Sequence, residues 1–167
     1  NNHIEIDDRG LNGILSTLPV SSVSALASSL ENINQSSEKS SGIVNVKVGD
    51  VHKNKTLKLD FYKTDNGEKE QIKSDTFKID DKLGENVDGL IKDMPKFVDQ
   101  WDKFDETMKT LGQDNDKILI DSKSAKAFAW KQDSKSLKQM TDKLVEVNKK
   151  AQDSPGHMNI KFDDKNH

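Results

Sequence analysis

Cysteine is absent from all 167 residues. Neither disulfides nor thiolate metal centres can hold the fold or carry chemistry, and a Cys-free chain is at home in any redox compartment. Arginine is nearly as scarce, with Arg9 alone beside 25 lysines. That removes the side chain best suited to bidentate recognition of phosphates and base edges. The skew towards lysine also suggests an AT-rich genome, bacterial or from a mobile element. Nine glycines are spread thinly, so no glycine-rich phosphate loop or dinucleotide fingerprint forms. No apolar run exceeds a few residues, which leaves no membrane-spanning helix. The strained Gly-x-Ser-x-Gly turn of serine hydrolases is missing as well. His3, His52, His157 and His167 are scattered, with no pair at helical metal-ligand spacing, and read as surface residues. These absences identify no catalytic residue, no cofactor and no small-molecule substrate.

What is present is charge. Hydrophobic residues make up 32% of the chain and charged residues 33%, so a domain of this length has to build an economical core. The net charge of −3 argues against non-specific polyanion binding. A start at Asn1 in place of Met is expected of a trimmed or processed chain, and secreted, cell-envelope and cytoplasmic locations all stay open.

One pattern recurs five times: apolar, any residue, apolar, Asp. The copies are Ile4-Glu5-Ile6-Asp7, Leu57-Lys58-Leu59-Asp60, Phe77-Lys78-Ile79-Asp80, Ile118-Leu119-Ile120-Asp121 and Ile160-Lys161-Phe162-Asp163. Apolar residues two apart line one face of a strand, and Asp favours turns, so the copies read as strand endings.

Around these endings the chain divides as follows, within a single α+β domain over 1–167. Residues 1–35 hold a short strand and two helices, the second striped by Val23, Leu26, Ala27, Leu30 and Ile33. Residues 36–42 belong to a serine-rich loop that begins near Gln35. Residues 43–80 form a three-stranded antiparallel meander, its first connection at Gly49–Lys55 and its hairpin at Asp65-Asn66-Gly67. The third strand alternates less regularly than the others. Residues 86–111 carry the strongest helical pattern, closed by Gly112, and Pro95 predicts a kink or break near Met94. Residues 117–163 mix a strand at Ile118, a helical segment around Ala125 to Ala129, a helix from Ser134, and a last strand of Met158, Ile160 and Phe162. The fold class is α+β: N-terminal helices, the meander, and a helical C-terminal half with one or two short extra strands.

Three function classes compete. Residues 86–111 place Met94, Phe97, Trp101, Phe104 and Met108 on one stripe, residue types favoured in interface cores. A chain so poor in apolar residues also needs that stripe for its own interior. The expectation is a non-enzymatic protein-interaction or assembly module that binds a protein partner or itself through this helix. A metal-binding protein or metal-dependent hydrolase is the second class, with Asp7, Asp80, Asp81 and Asp163 as ligands if strand ends converge. Asp60 with Asp80-Asp81-Lys82, or Asp121-Ser122-Lys123, resembles the metal-holding pattern of the restriction-endonuclease core. Four acidic-x-Lys triplets occur, however, and roughly four are expected from composition alone. Nucleic-acid binding is the third class. Nine lysines against four acidic residues between Lys117 and Ala151 favour it, and the lack of arginine opposes it.

Overall fold

The computed structural model describes residues 4–7, 11–38, 42–51, 54–113 and 117–163. The chain forms two compact units, Asn1–Lys92 and Asp93–His167. The α+β class is as expected.

In the first unit, β1 (Ile4–Asp7), β2 (Ile43–Val51), β3 (Asn54–Asp65) and β4 (Glu68–Lys78) make one sheet in that order. The meander β2–β3–β4 is antiparallel, and β1 joins β2 in parallel. The turn between β3 and β4 is Asn66-Gly67, with φ of 52° and 83°, the positive angles that a two-residue hairpin requires. The first connection is shorter than the sequence predicts. Gly49, Asp50 and Val51 pair with Thr56, Lys55 and Asn54, because extending the ladder satisfies backbone groups that a loop would leave to water. What remains of that connection, residues 52–53, lies outside the described residues.

Register explains the irregular third strand. Val44, Val46 and Val48 stand opposite Phe61, Leu59 and Leu57, one apolar face shared by two strands. Between β3 and β4 the register shifts at Phe61/Tyr62, since Phe61 pairs with Lys73 and Tyr62 with Gln71. Ile72 is the extra residue of a β-bulge, and the bulge breaks the alternation that an unbroken strand would show. Both Ile72 and Lys73 are buried.

Two helices precede β2: α1 (Leu11–Leu15) and α2 (Val20–Glu38). Helix α2 runs into the expected serine-rich loop as far as Glu38, and residues 39–41 of that loop lie outside the described residues. Its buried stripe is Ser22, Leu26, Ser29, Ile33 and Ser37. Ser37 turns its hydroxyl back onto its own helix, donating to the Asn34 carbonyl at 2.8 Å, whereas Ser29 Oγ is buried without a hydrogen-bond partner. Helix α3 (Leu83–Gln113) starts in this unit. Asp80 sets its start by accepting from Lys82 N at 2.9 Å through Oδ1 and from Leu83 N at 3.2 Å through its carbonyl. Leu83, Val87 and Leu90 of α3 are buried, and Asn32 of α2 donates to Asp88 of α3.

The second unit holds the rest of α3, β5 (Ile118–Ile120), α4 (Ser122–Ala129), α5 (Ser134–Gln152) and β6 (Met158–Ile160). Of the kink or break expected near Met94, no break occurs: α3 continues through Pro95. An interior proline costs about 3 kcal/mol. Pro95 itself is exposed, while Phe97, Trp101, Phe104 and Leu111 are buried at roughly 1.5–3 kcal/mol per large apolar side chain, which offsets that cost. Asp121 and Asp133 cap α4 and α5, their side chains accepting from Ser124 N and Ser136 N. Asp93 of α3 adds a second hold on the start of α5. Its carboxylate accepts from Ser134 N at 2.7 Å and from Ser134 Oγ at 2.5 Å. The strands β5 and β6 pair in parallel, Ile118 with Met158 and Ile120 with Ile160.

Candidate interaction surface

The five residues expected to bind a partner fall on α3 of the second unit. Phe97 and Phe104 are 0% exposed, Trp101 is 1% exposed, and Met108 is buried with them, while Met94 is half-buried. The rings run along the helix, with centroids 6.2 Å apart for Phe97–Trp101 and 5.1 Å apart for Trp101–Phe104. Side chains covered to this degree cannot touch a partner while the helix keeps its packing. The aromatic stripe serves the interior.

The aspartates do not gather into a described site. Asp7 ends β1 opposite Lys47, Asp80 shapes the turn into α3, and Asp81 and Asp163 are exposed. Their neighbours Asp8 and Asp164 lie outside the described residues. Among the described residues, no three His, Asp or Glu side chains come together as metal ligands. Asp60 departs from the strand-ending pattern, because it sits inside β3. Leu57 and Leu59 face the covered side and the residue after them faces the other side, so an Asp there need not stop the strand. Register places it in a polar row across all four strands: Glu5, Asn45, Asp60 and Ser74. Asn45 Oδ1 and Asp60 Oδ1 are buried without a hydrogen-bond partner.

On the opposite face of that sheet, Lys73 is 2% exposed and Asp75 is partly buried two residues further along β4. Burial pushes the Asp75 carboxyl above its ordinary value, against the lowering pull of the Lys73 ammonium and of a hydrogen bond from Thr76 N at 3.0 Å.

In the basic stretch 117–150, Lys126, Lys138, Lys143 and Lys150 each meet a nearby acid. Along α5, Lys138 meets Asp142 at 2.8 Å, and Glu146 receives Lys150 at 3.2 Å and Lys143 at 3.3 Å. Hydrogen bonds from Lys150 and Lys143 lower the Glu146 carboxyl below its ordinary value. Lys126 reaches Asp105 of α3 at 4.0 Å.

The ribbon β5–β6 is different. Leu119 is 71% exposed and Met158 is 44% exposed, two of the five large apolar side chains that stand out among the described residues. The ribbon is anchored at its ends. Lys117 Nζ donates to the carbonyls of Gln152 at 3.0 Å and Ser154 at 2.7 Å, Phe162 N donates to Ser124 Oγ at 3.1 Å, and the Phe128 and Phe162 rings sit 5.3 Å apart. The sequence signal for this surface was available. Ile118-Leu119-Ile120 is apolar without alternation, and on a strand the middle residue must point away from the other two.

No family model, curated protein or solved structure matches this chain.

Proposed function

We propose that the chain is a non-enzymatic protein-interaction module whose contact surface is the β5–β6 ribbon of the second unit. The observation that carries this reading is Leu119, an apolar side chain 71% exposed at the centre of a firmly anchored strand. Isolated exposed apolar residues are common and carry little meaning. Here the residue belongs to a strand with an open edge, the arrangement used when an extended segment of another chain adds to a sheet. The α3 rings belong to the interior of the ribbon's unit and are not its anchors, since the chain itself covers them.

Photo-crosslinking tests the reading. A photoreactive residue at position 119 should form a protein adduct in the cell that makes this chain, and one at the still more exposed Val20 should not. Leu119→Asp, with an unchanged circular dichroism spectrum, should abolish binding of the partner so identified. Absence of any protein adduct from position 119 would overturn the proposal.

A further inference from the structure

Resting on that reading of the ribbon, we infer that its occupant is a second copy of this chain, β5 adding antiparallel to the partner's β5 about a two-fold axis through Leu119. The backbone supplies the first reason. Met158 N donates to Lys117 O at 2.7 Å and Asp121 N donates to Ile160 O at 2.9 Å, so the peptide groups of 117, 119 and 121 face β6. Backbone groups alternate along a strand, which turns the amide and carbonyl of Ile118 and Ile120 to the other edge. Among the described residues no strand pairs with that edge.

An antiparallel partner centred on Leu119 fits those groups. Ile118 meets the partner's Ile120, and Ile120 the partner's Ile118, each pair exchanging both of its hydrogen bonds. Leu119 meets the partner's Leu119 in the close pair between them, where Cα atoms approach to about 4.5 Å. The outward face then reads Lys117, Leu119, Asp121 on one strand and Asp121, Leu119, Lys117 on the other. Each lysine lies opposite an aspartate. A parallel arrangement would set like charge on like.

Both charged groups are also used within the chain, Lys117 by the Gln152 and Ser154 carbonyls and Asp121 as the cap of α4. Their cross-chain pairing therefore selects register and direction more than it adds affinity. The interface is self-complementary, as a two-fold axis demands. Contrast with β4, one of the two edge strands of the larger sheet, supports the choice. Strand β4 carries Lys69, Lys73, Lys78 and a bulge, devices that discourage edge pairing, whereas β5 presents Ile-Leu-Ile. A strand this short buries little area, so the dimer should be weak and concentration-dependent.

The absence of native cysteine makes the test clean. At the Cα spacing of that close pair a disulfide closes without strain. Under mild oxidation Leu119→Cys should give a disulfide-linked dimer, at a concentration where Val20→Cys, at a position even more exposed, does not. A mixture of Lys117→Cys and Asp121→Cys chains should yield the mixed dimer well above either self-dimer. Sedimentation of the unsubstituted chain should show its mean mass rising from one chain towards two with concentration. Leu119→Cys coupling no faster than Val20→Cys, or a Lys117→Cys self-dimer outpacing the mixed one, would overturn the antiparallel pairing. A constant single-chain mass would do the same. If position 119 then still crosslinks to a different protein, the interaction reading survives and self-pairing alone fails.

Discussion

The four-stranded sheet of the first unit and the two-stranded ribbon of the second differ in what each strand residue contributes. In the sheet, Val44, Val46, Val48, Leu57 and Leu59 alternate strictly with half-buried or exposed residues, and every apolar side chain among them is buried. In the ribbon, three consecutive apolar residues leave one, Leu119, on the solvent side. Strands β2 and β3 use their buried apolar residues to hold the sheet together, while Ile6 on the edge strand β1 is 48% exposed. The ribbon is held by hydrogen bonds and rings at its ends, and the outward Leu119 takes no part in them. In a chain with 32% hydrophobic residues, apolar surface left outside is the part most open to a functional explanation.

Truncation should separate the two most sharply. Leu59→Ala empties space in a fully buried position and should lower stability by about 2–5 kcal/mol, and Trp101→Ala by about 3–5 kcal/mol. Leu119→Ala should stay within about 0.5 kcal/mol of the unsubstituted chain. Urea unfolding followed by far-ultraviolet circular dichroism measures all three. A loss at Leu119 as large as that at Leu59 would show that the ribbon's outer face is part of the core, and the contrast would collapse.

A smaller effect is expected at the junction of α3 and α5. Asp93→Ala leaves the Ser134 amide and hydroxyl without their carboxylate and should cost about 1–3 kcal/mol. Ser134→Ala removes the hydroxyl alone and should cost about 0.5–1.5 kcal/mol. Amide exchange in the first turn of α5 should quicken more in the Asp93 variant. Equal exchange in both would mean that the Asp133 cap alone fixes this helix start.

Much of the fold was legible. Alternating valines and leucines, the Asn66-Gly67 turn and the helical stripes follow from local chemistry, and each element appears where those signals lie. Three features were not legible, for reasons of context. Pro95 marks a kink or break in isolation, and a long apolar stripe on both sides carries the helix through it despite one missing hydrogen bond. The bulge at Ile72 needs the facing strand to define it, because register is a property of a pair. The pairing of β1 with β2, and of β5 with β6, depends on contacts between residues 40 positions apart, which no local pattern encodes. The candidate surface was half legible. Residue type pointed to Phe97, Trp101 and Phe104, yet the same properties that suit a ring to an interface suit it to a core, and only burial distinguishes the two.

The smallest predicted effect concerns charge inside the larger sheet. Asp75 lies on the covered face of β4 in register with Leu59, and burial raises its carboxyl above the ordinary value. A carboxyl so raised holds its proton more tightly folded than unfolded. The group therefore favours the folded state below its ordinary titration range, and this contribution is lost as pH rises through the folded value. Asp75→Asn removes that dependence and keeps the shape. Relative to the unsubstituted chain, the variant should gain stability as pH rises above the ordinary carboxylate range of about 4, as unfolding in urea at a series of pH values will show. Lys73 opposes the effect, since its ammonium attracts the ionised carboxylate. If that attraction outweighed burial, the variant would instead lose ground as pH rises, and the buried lysine would be the dominant partner of Asp75.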